Sequence, residues 1–259
     1  MHDTIPNLLF WLIMRMNAPK DDNKFRLLKN SKVLSGLTEE TIYELLKSAH
    51  IDRVTKDEII FMQGDEANYF YIILDGAIKL FIEAQNGNEI LLKIATSGEL
   101  IGKSSLLENS QYMASAQILD DVTLLKVKVS DIKKQLESDP KLLNNLLSST
   151  IVANYDFVVQ ISRTLSLSAP QRLGCFIMKY NKNVKLEDKV EIELPFEKRI
   201  IASYLQMTPE TMSRAIATLK KHGLRFEKSK AIIEDAEKLK KYCCCGCIKI
   251  SSPNECPCN

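Results

Sequence analysis

The sequence predicts an α+β chain in three parts: a small β-roll, one long helix, and a compact helical unit that ends in a hairpin. Three observations carry that expectation. Short apolar runs of strand length recur between residues 59 and 128, and most of them close on a turn signal. Residues 139–165 then hold one apolar stripe at helical spacing, and two short helical patterns split by a brief break follow near residues 197–222. The composition fits a globular chain of one large or two medium domains, with 259 residues, 45% hydrophobic and 26% charged. The longest apolar run, Leu8 to Met14, falls well short of the roughly 18–20 residues that span a bilayer. It has no basic segment before it and no small-residue cleavage site after it, so the expectation is a cytoplasmic chain without a membrane partner or secretory signal.

Residues 1–24 read as an N-terminal extension, an apolar patch followed by a polar linker from Ala18 to Lys24. The roll is expected over 25–137. It opens with a helical pattern from Phe25 to about Ser48, in which Leu27, Leu28, Val33, Leu34, Leu37, Ile42, Leu45 and Leu46 mark apolar faces. The period then shortens, with runs at 59–62, 69–74, 77–82 and 90–94 bounded by Gln63-Gly64-Asp65, Asp75-Gly76, Asn86-Gly87-Asn88 and Ser97-Gly98-Glu99. Two more strands are expected at 114–118 and 123–128. Many short strands at hairpin spacing make a small barrel or roll.

A helix is expected over 138–168. Asp139 suits its N-cap and Pro140 its first turn. Leu147, Ile151, Asn154, Val158, Ile161 and Leu165 recur at spacings of 4, 3, 4, 3 and 4. Such a stripe either packs on the roll or forms the seam of a two-stranded homodimer. The 3.5-residue period and the single asparagine, which fixes register, favour the dimer.

Residues 169–242 hold the most specific motif. A helix of about Glu197 to Leu205 turns Ile200, Ile201, Ala202 and Leu205 inward, and a break follows at Gln206-Met207. Thr208 then caps a second helix with Pro209 in its first position, Met212, Ala215, Ile216 and Leu219 on its buried face, and Gly223 at its end. This is a helix-turn-helix pattern, whose second helix enters the major groove of double-stranded DNA. Glu210, Thr211, Ser213 and Arg214 are then placed to reach base edges: Arg214 has the fork for guanine O6 and N7, and Glu210 can accept from cytosine N4. Lys198, Arg199 and Thr208 would hold phosphates, with Lys220 and Lys221 as further candidates. Residues 224–233 read as a hairpin wing. Charge agrees, since residues 169–242 carry 16 Lys+Arg against 10 Asp+Glu, a net of +6, while the remainder carries 19 against 23, a net of −4.

The order of these parts resembles the CRP/FNR family of bacterial transcription regulators, over about residues 26–242. The residues that carry the likeness are Gln63-Gly64-Asp65, Phe70 to Gly76, Gly98-Glu99-Leu100-Ile101-Gly102 and the helix-turn-helix. The resemblance implies a jelly-roll sensor of the cyclic-nucleotide-binding type, a dimerisation helix and a winged helix-turn-helix, working as a homodimer with RNA polymerase as a partner. Glu210-Thr211-Met212-Ser213-Arg214 is similar to the Glu-x-x-Ser-Arg reading head of the FNR branch, which implies a palindrome with TTGAT-like half-sites. Gln206 departs from the pattern, because glycine is common at that turn.

In cyclic-nucleotide-binding members a Gly-Glu pair and, about ten residues later, Arg-Ser line the effector pocket. Here those positions read Gly102-Lys103 and Ala114-Ser115, so a cation replaces the ribose acceptor and the phosphate arginine is missing. Gly102, Lys103 and Ser115 remain the candidate effector pocket, with cAMP an unfavourable ligand. Haem is another family effector and would need an axial ligand such as His50 or Met113, since His222 falls at the end of the recognition helix.

Six of the seven cysteines lie in residues 243–259: Cys243, Cys244, Cys245, Cys247, Cys256 and Cys258. Cys244 and Cys247 form a C-x-x-C pair, and Cys256 and Cys258 a C-x-C pair. Short spacings let one loop aim two thiolates at one metal, as zinc and iron–sulfur sites both require. Some family members carry an iron–sulfur cluster on a C-terminal cysteine group and others on an N-terminal one; this chain is similar to the former, and the resemblance implies a cluster here, with redox, O₂ or NO response. A structural zinc loop and a thiol-redox tail remain as alternatives. A non-DNA role, as a cyclic-nucleotide module acting on a partner protein, sits poorly with Arg214. An enzyme is not expected, because no Ser/His/Asp set, phosphate-binding glycine loop or H-E-x-x-H motif is present, and only three histidines are available.

Overall fold

The computed structural model describes residues 31–244 apart from 32, 48, 86, 88, 109, 180–188 and 195. The N-terminal extension, Leu27 and Leu28 lie outside these residues. The chain divides into two compact units, 1–152 and 153–259.

The first unit opens with helix α1 (Glu39–Lys47) and six strands: β1 (His50–Val54), β2 (Ile59–Phe61), β3 (Tyr69–Glu83), β4 (Glu89–Thr96), β5 (Leu100–Ile101) and β6 (Ser115–Lys128). A 3₁₀ turn (Lys103–Leu106) lies between β5 and β6, and helices α2 (Val129–Ser138) and α3 (Pro140–Ser166) follow. All strand pairs are antiparallel in the order β1-β6-β3-β4, with β2 on β6 and β5 on β3. The two long strands form the spine because both of their faces are buried. Phe70, Ile72 and Leu74 of β3 pack with Leu125 and Val127 of β6 against α1, α2 and α3. The alternate residues Tyr71, Ile73 and Ile78 meet Val122 and Leu124 inside the roll. A period of two with apolar residues at both phases reads in sequence as an unbroken hydrophobic run.

The sequence predicts a turn at Asp75-Gly76, but β3 runs straight through it. Gly76 has φ +90°, and a Cβ there would sit 2.3 Å from the Asp121 carbonyl oxygen. The β3–β6 register slips at this point. Glycine therefore marks a bulge where two backbones touch, and the bulge bends the roll without ending the strand. The expected strands at 114–118 and 123–128 are likewise one strand, β6. Strand β1 and helix α2 are additions to the expected elements: His50-Ile51-Asp52-Arg53-Val54 mixes polar and apolar residues and carries little strand signal of its own.

Asp139 caps α3 as expected. Its Oδ1 accepts from the backbone N–H of Lys141 (2.8 Å) and Leu142 (3.2 Å), and its Oδ2 accepts from the Thr41 hydroxyl at 2.5 Å. These bonds, the Thr41 hydroxyl foremost, hold the Asp139 carboxyl below its ordinary value. The helix is preceded by the separate α2, so the long element covers 140–166 rather than 138–168. Leu142 and Leu146 are buried in the roll's helix-side core. From Leu147 to Ser166 no residue of α3 is buried.

The second unit holds α4 (Ala169–Lys179), β7 (Val190–Glu193), α5 (Lys198–Tyr204), α6 (Pro209–Lys220), β8 (Leu224–Glu227), β9 (Lys230–Ile233) and α7 (Ala236–Cys244). The sheet order is β7-β9-β8. Leu173, Ile177, Ile201, Leu219, Leu224, Ala231 and Leu239 are fully buried at its centre. Among the described residues no helix is long and apolar enough to cross a membrane.

Candidate nucleic-acid interface

The turn between α5 and α6 is closed by its own backbone. Leu205, Gln206 and Met207 donate to the carbonyls of Ile201, Ser203 and Ala202 at 2.9–3.0 Å. Gln206 takes φ +55°, the left-handed conformation for which glycine is preferred, and it takes it without being glycine. Met207 is buried and pins the turn to the core. Thr208 is extended, and its hydroxyl accepts from the Thr211 N–H at 3.2 Å, with Pro209 opening the helix. These features fix where α6 begins, and therefore which residues ride on its free face.

Met212, Ala215 and Leu219 are buried. Glu210, Ser213, Arg214 and Ala217 lie off that face and are exposed, with Thr211 half-buried beside them. Residues at i, i+3, i+4 and i+7 share one side of a helix, so the structure brings Glu210, Ser213 and Arg214 together at the N-terminal end of α6. Arg214 has no ion pair within 4 Å among the described residues, whereas Arg225 of β8 is engaged by Glu227 and Glu234 and Lys230 of β9 by Glu191. Glu210's own N–H and the Thr208 hydroxyl, with Arg214 adding attraction, lower its carboxyl below the ordinary value, so it is an acceptor at neutral pH. Lys198 lies with its ammonium 5.9 Å from the centre of the Phe226 ring on β8, and exposed Arg199 pairs with Glu197 at 3.0 Å. Both stand at the start of α5. Exposed Lys220 and Lys221 close the other end of α6.

Two features of this unit go beyond the sequence prediction. Strand β7 adds a third member to the wing sheet, pairing Val190 to Ile233. Helix α7 continues past the expected domain end at 242, and the rings of Tyr242 and His222 stack with centroids 3.7 Å apart. The Gln171 side-chain amide donates to the Tyr242 carbonyl at 3.1 Å. The signal for α7 was available in the spacing of Ala236, Leu239 and Cys243, which is helical.

Cys243 is fully buried on α7, against Gly174 of α4. That is a packing position within the core. The Cys244 side chain and Cys245, Cys247, Cys256 and Cys258 lie outside the described residues. Among the described residues no group of three His, Cys, Asp or Glu side chains could hold a metal ion.

The expected effector pocket is occupied by contacts of its own. Gly102 has φ +78° and its Cα faces the Tyr69 carbonyl and the Tyr112 ring, with 3.1 Å and 3.2 Å to where a Cβ would stand. Ser115 is buried and its hydroxyl accepts from the Gln63 N–H at 2.9 Å. Lys103 donates to Ser149 of α3. No carboxylate stands at position 103 and no guanidinium at 114, so these residues do not fit a cyclic nucleotide. The haem candidates Met113 and His50 are both exposed. On α3, Leu147, Ile151, Val158, Ile161 and Leu165 are all at least half exposed, and Asn154 is exposed in line with them.

Comparison with known proteins finds two family models along the chain. Residues 51–139 match the cyclic nucleotide-binding domain model and residues 171–242 the Crp-like helix-turn-helix domain model. The anaerobic regulatory protein of Pasteurella multocida is 26% identical over 184 residues, covering 69% of this chain and 66% of that protein, so the chain matches just under two thirds of its length. The fumarate and nitrate reduction regulatory protein of Salmonella typhi is 26% identical over 194 residues, 72% of this chain and 75% of that one. The solved structure of FixK2 from Bradyrhizobium japonicum shares the fold, with a TM-score of 0.64 at 21% identity over 75% of this chain and 96% of that one. A roll that matches one model, a capped reading helix inside a match to the other, and relatives of this kind across both lead to one conclusion: the chain belongs to the CRP/FNR family of transcription regulators.

Proposed function

We propose that two copies of this chain join along α3 and read a palindromic duplex with TTGAT-like half-sites in the cytoplasm, acting with RNA polymerase. In this reading the roll (25–137) is the sensor, 138–168 the dimerisation element, 169–242 the DNA-binding unit and 243–259 a redox tail. The observation that carries it is the shared exposed face of Glu210, Ser213 and Arg214 at the capped end of α6, with Arg214 in no ion pair within 4 Å among the described residues. A guanidinium presented in this way can bind guanine bidentately, and Glu210 is ionised for cytosine N4. Thr208 at the cap of α6 and Lys198 and Arg199 at the start of α5 suit phosphates, and Thr211 adjoins Glu210.

The tail would carry an iron–sulfur cluster that responds to O₂ or NO, on four of Cys244, Cys245, Cys247, Cys256 and Cys258. The cysteine density and spacing support this, as do relatives named for anaerobic regulation and for fumarate and nitrate reduction. When bound, the cluster would supply the redox sensitivity, and Cys243 would serve only to anchor the preceding helix.

The DNA reading is tested by duplex binding. Arg214→Ala should weaken binding to the palindrome by about 1–3 kcal/mol and hardly touch random duplex, while Lys198→Ala should weaken both alike and lower the salt slope by about one. Equal losses on both duplexes for Arg214→Ala would overturn the base-reading role. Iron and acid-labile sulfide in matching amounts, on protein purified without oxygen, would support the cluster. Zinc alone would make the tail a structural element.

A further inference from the structure

The first part of α3 is fixed to the roll by a short series of contacts. Leu142 and Leu146 are buried in the helix-side core, and the Asn145 side-chain amide donates to the carbonyls of Val33 (2.9 Å) and Ser35 (2.8 Å). Beyond Leu146 the helix has no buried residue. Among the described residues, the hydrogen bond from the roll that reaches farthest along residues 140–152 comes from Lys103, whose Nζ donates to the Ser149 hydroxyl at 3.2 Å and carbonyl at 3.3 Å. Ser149 sits between Leu147 and Ile151, the first two residues of the exposed apolar stripe.

Lys103 opens the 3₁₀ turn after the left-handed Gly102, which is held by Tyr69 and Tyr112, so the lysine's origin is set by the roll's interior. The residue is half-buried, and its ammonium has no carboxylate within ion-pair distance among the described residues. Glu99, which acts on it, is engaged with Lys93 at 2.5 Å. A lysine in such a place is an unfavourable choice for stability alone, and departures of this kind collect where a fold does its work.

We propose that Lys103 is a built-in tether that positions residues 147–152 of α3 against the roll, so that this chain aligns its apolar stripe without a cyclic nucleotide. Lys103 is thus a positioning residue acting through Ser149. The inference does not depend on the DNA site or the cysteine tail.

The experiment is amide hydrogen exchange on the full-length protein. Lys103→Met keeps the side chain's length and removes its donors. Residues 147–152 should then exchange about tenfold faster, the scale of one lost hydrogen bond to a charged group, while β3 and β6 stay protected. Lys103→Arg should restore protection, and Ser149→Ala should give a smaller increase because the carbonyl contact survives. Cyclic AMP in excess should change exchange in none of these proteins. Unchanged exchange over 147–152 in Lys103→Met would overturn the tether. So would wild-type protection that rises on adding cyclic AMP. If Lys103→Met fails to fold, unchanged exchange over 147–152 in Ser149→Ala is the result that overturns it.

Discussion

Gln206 shows how one residue can break a local rule inside a correct fold. Its φ of +55° costs a non-glycine residue about 1–2 kcal/mol, and glycine there would give back about 0.5–1 kcal/mol in unfolded-state entropy. Gln206→Gly should therefore raise stability by up to about 1.5 kcal/mol in urea unfolding, with the Thr208 cap and DNA affinity unchanged. Lys103 offers a second residue-scale test. Burial, helped by Lys93 and opposed by Glu99, pushes its ammonium down to about 8. The unfolded chain holds that proton more tightly, so between about pH 8 and 10 unfolding takes up a proton and stability should rise with pH. Relative to Lys103→Met, the wild type should gain on the order of 1 kcal/mol across that window, a value reduced for solvent screening because the group is partly exposed. A flat difference between the two urea midpoints would show that Lys103 is not held in a desolvated site.

Element boundaries explain what the sequence could and could not disclose. The capped helix α6 was legible because Thr208, Pro209 and the 3–4 spacing of Met212, Ala215, Ile216 and Leu219 all act locally. Strand β1, the union of the two halves of β3 and the wing strand β7 were not, because each depends on a partner far along the chain: β1 on β6, Gly76 on Asp121 and Val190 on Ile233. A glycine reads the same in a turn and in a bulge, and only the facing backbone separates them. Cys243 is the same kind of case, since its place in a cysteine run does not disclose its contact with Gly174 of α4. That contact is testable. A Cβ at Gly174 would lie 2.3 Å from the Cys243 Sγ, in a core that also holds Leu219 and Leu239 around it. Gly174→Ala should cost about 1–3 kcal/mol by overpacking. Gly174→Ala combined with Cys243→Ala should recover part of that loss, a coupling that thermal unfolding of the four variants would reveal.

At the scale of the whole molecule, the exposed stripe of α3 is the feature least explained by a single chain. Leu147, Ile151, Val158, Ile161 and Leu165 are between 50% and 83% exposed, on a helix with no buried residue past Leu146. A contiguous apolar row of that length marks an interaction surface, and the 3.5-residue period selects a second helix as its occupant. In the proposed dimer each seam residue would bury against its copy. Val158→Glu with Ile161→Glu should then raise the dimer dissociation constant at least about 30-fold, or about 2 kcal/mol, as measured by sedimentation equilibrium. Palindrome binding should fall with it, while half-site binding by each monomer is unchanged. Asn154 separates the energetic role of the seam from its specifying role. A polar residue in an apolar seam lowers affinity and fixes register, so Asn154→Leu should tighten association and at the same time permit alternative alignments. Disulfide trapping of paired cysteines introduced at Val158 would report this as a single product in the Asn154 protein and a reduced yield in Asn154→Leu. Weaker association on Asn154→Leu would show instead that the asparagine contributes a favourable contact, and that register is set elsewhere along α3.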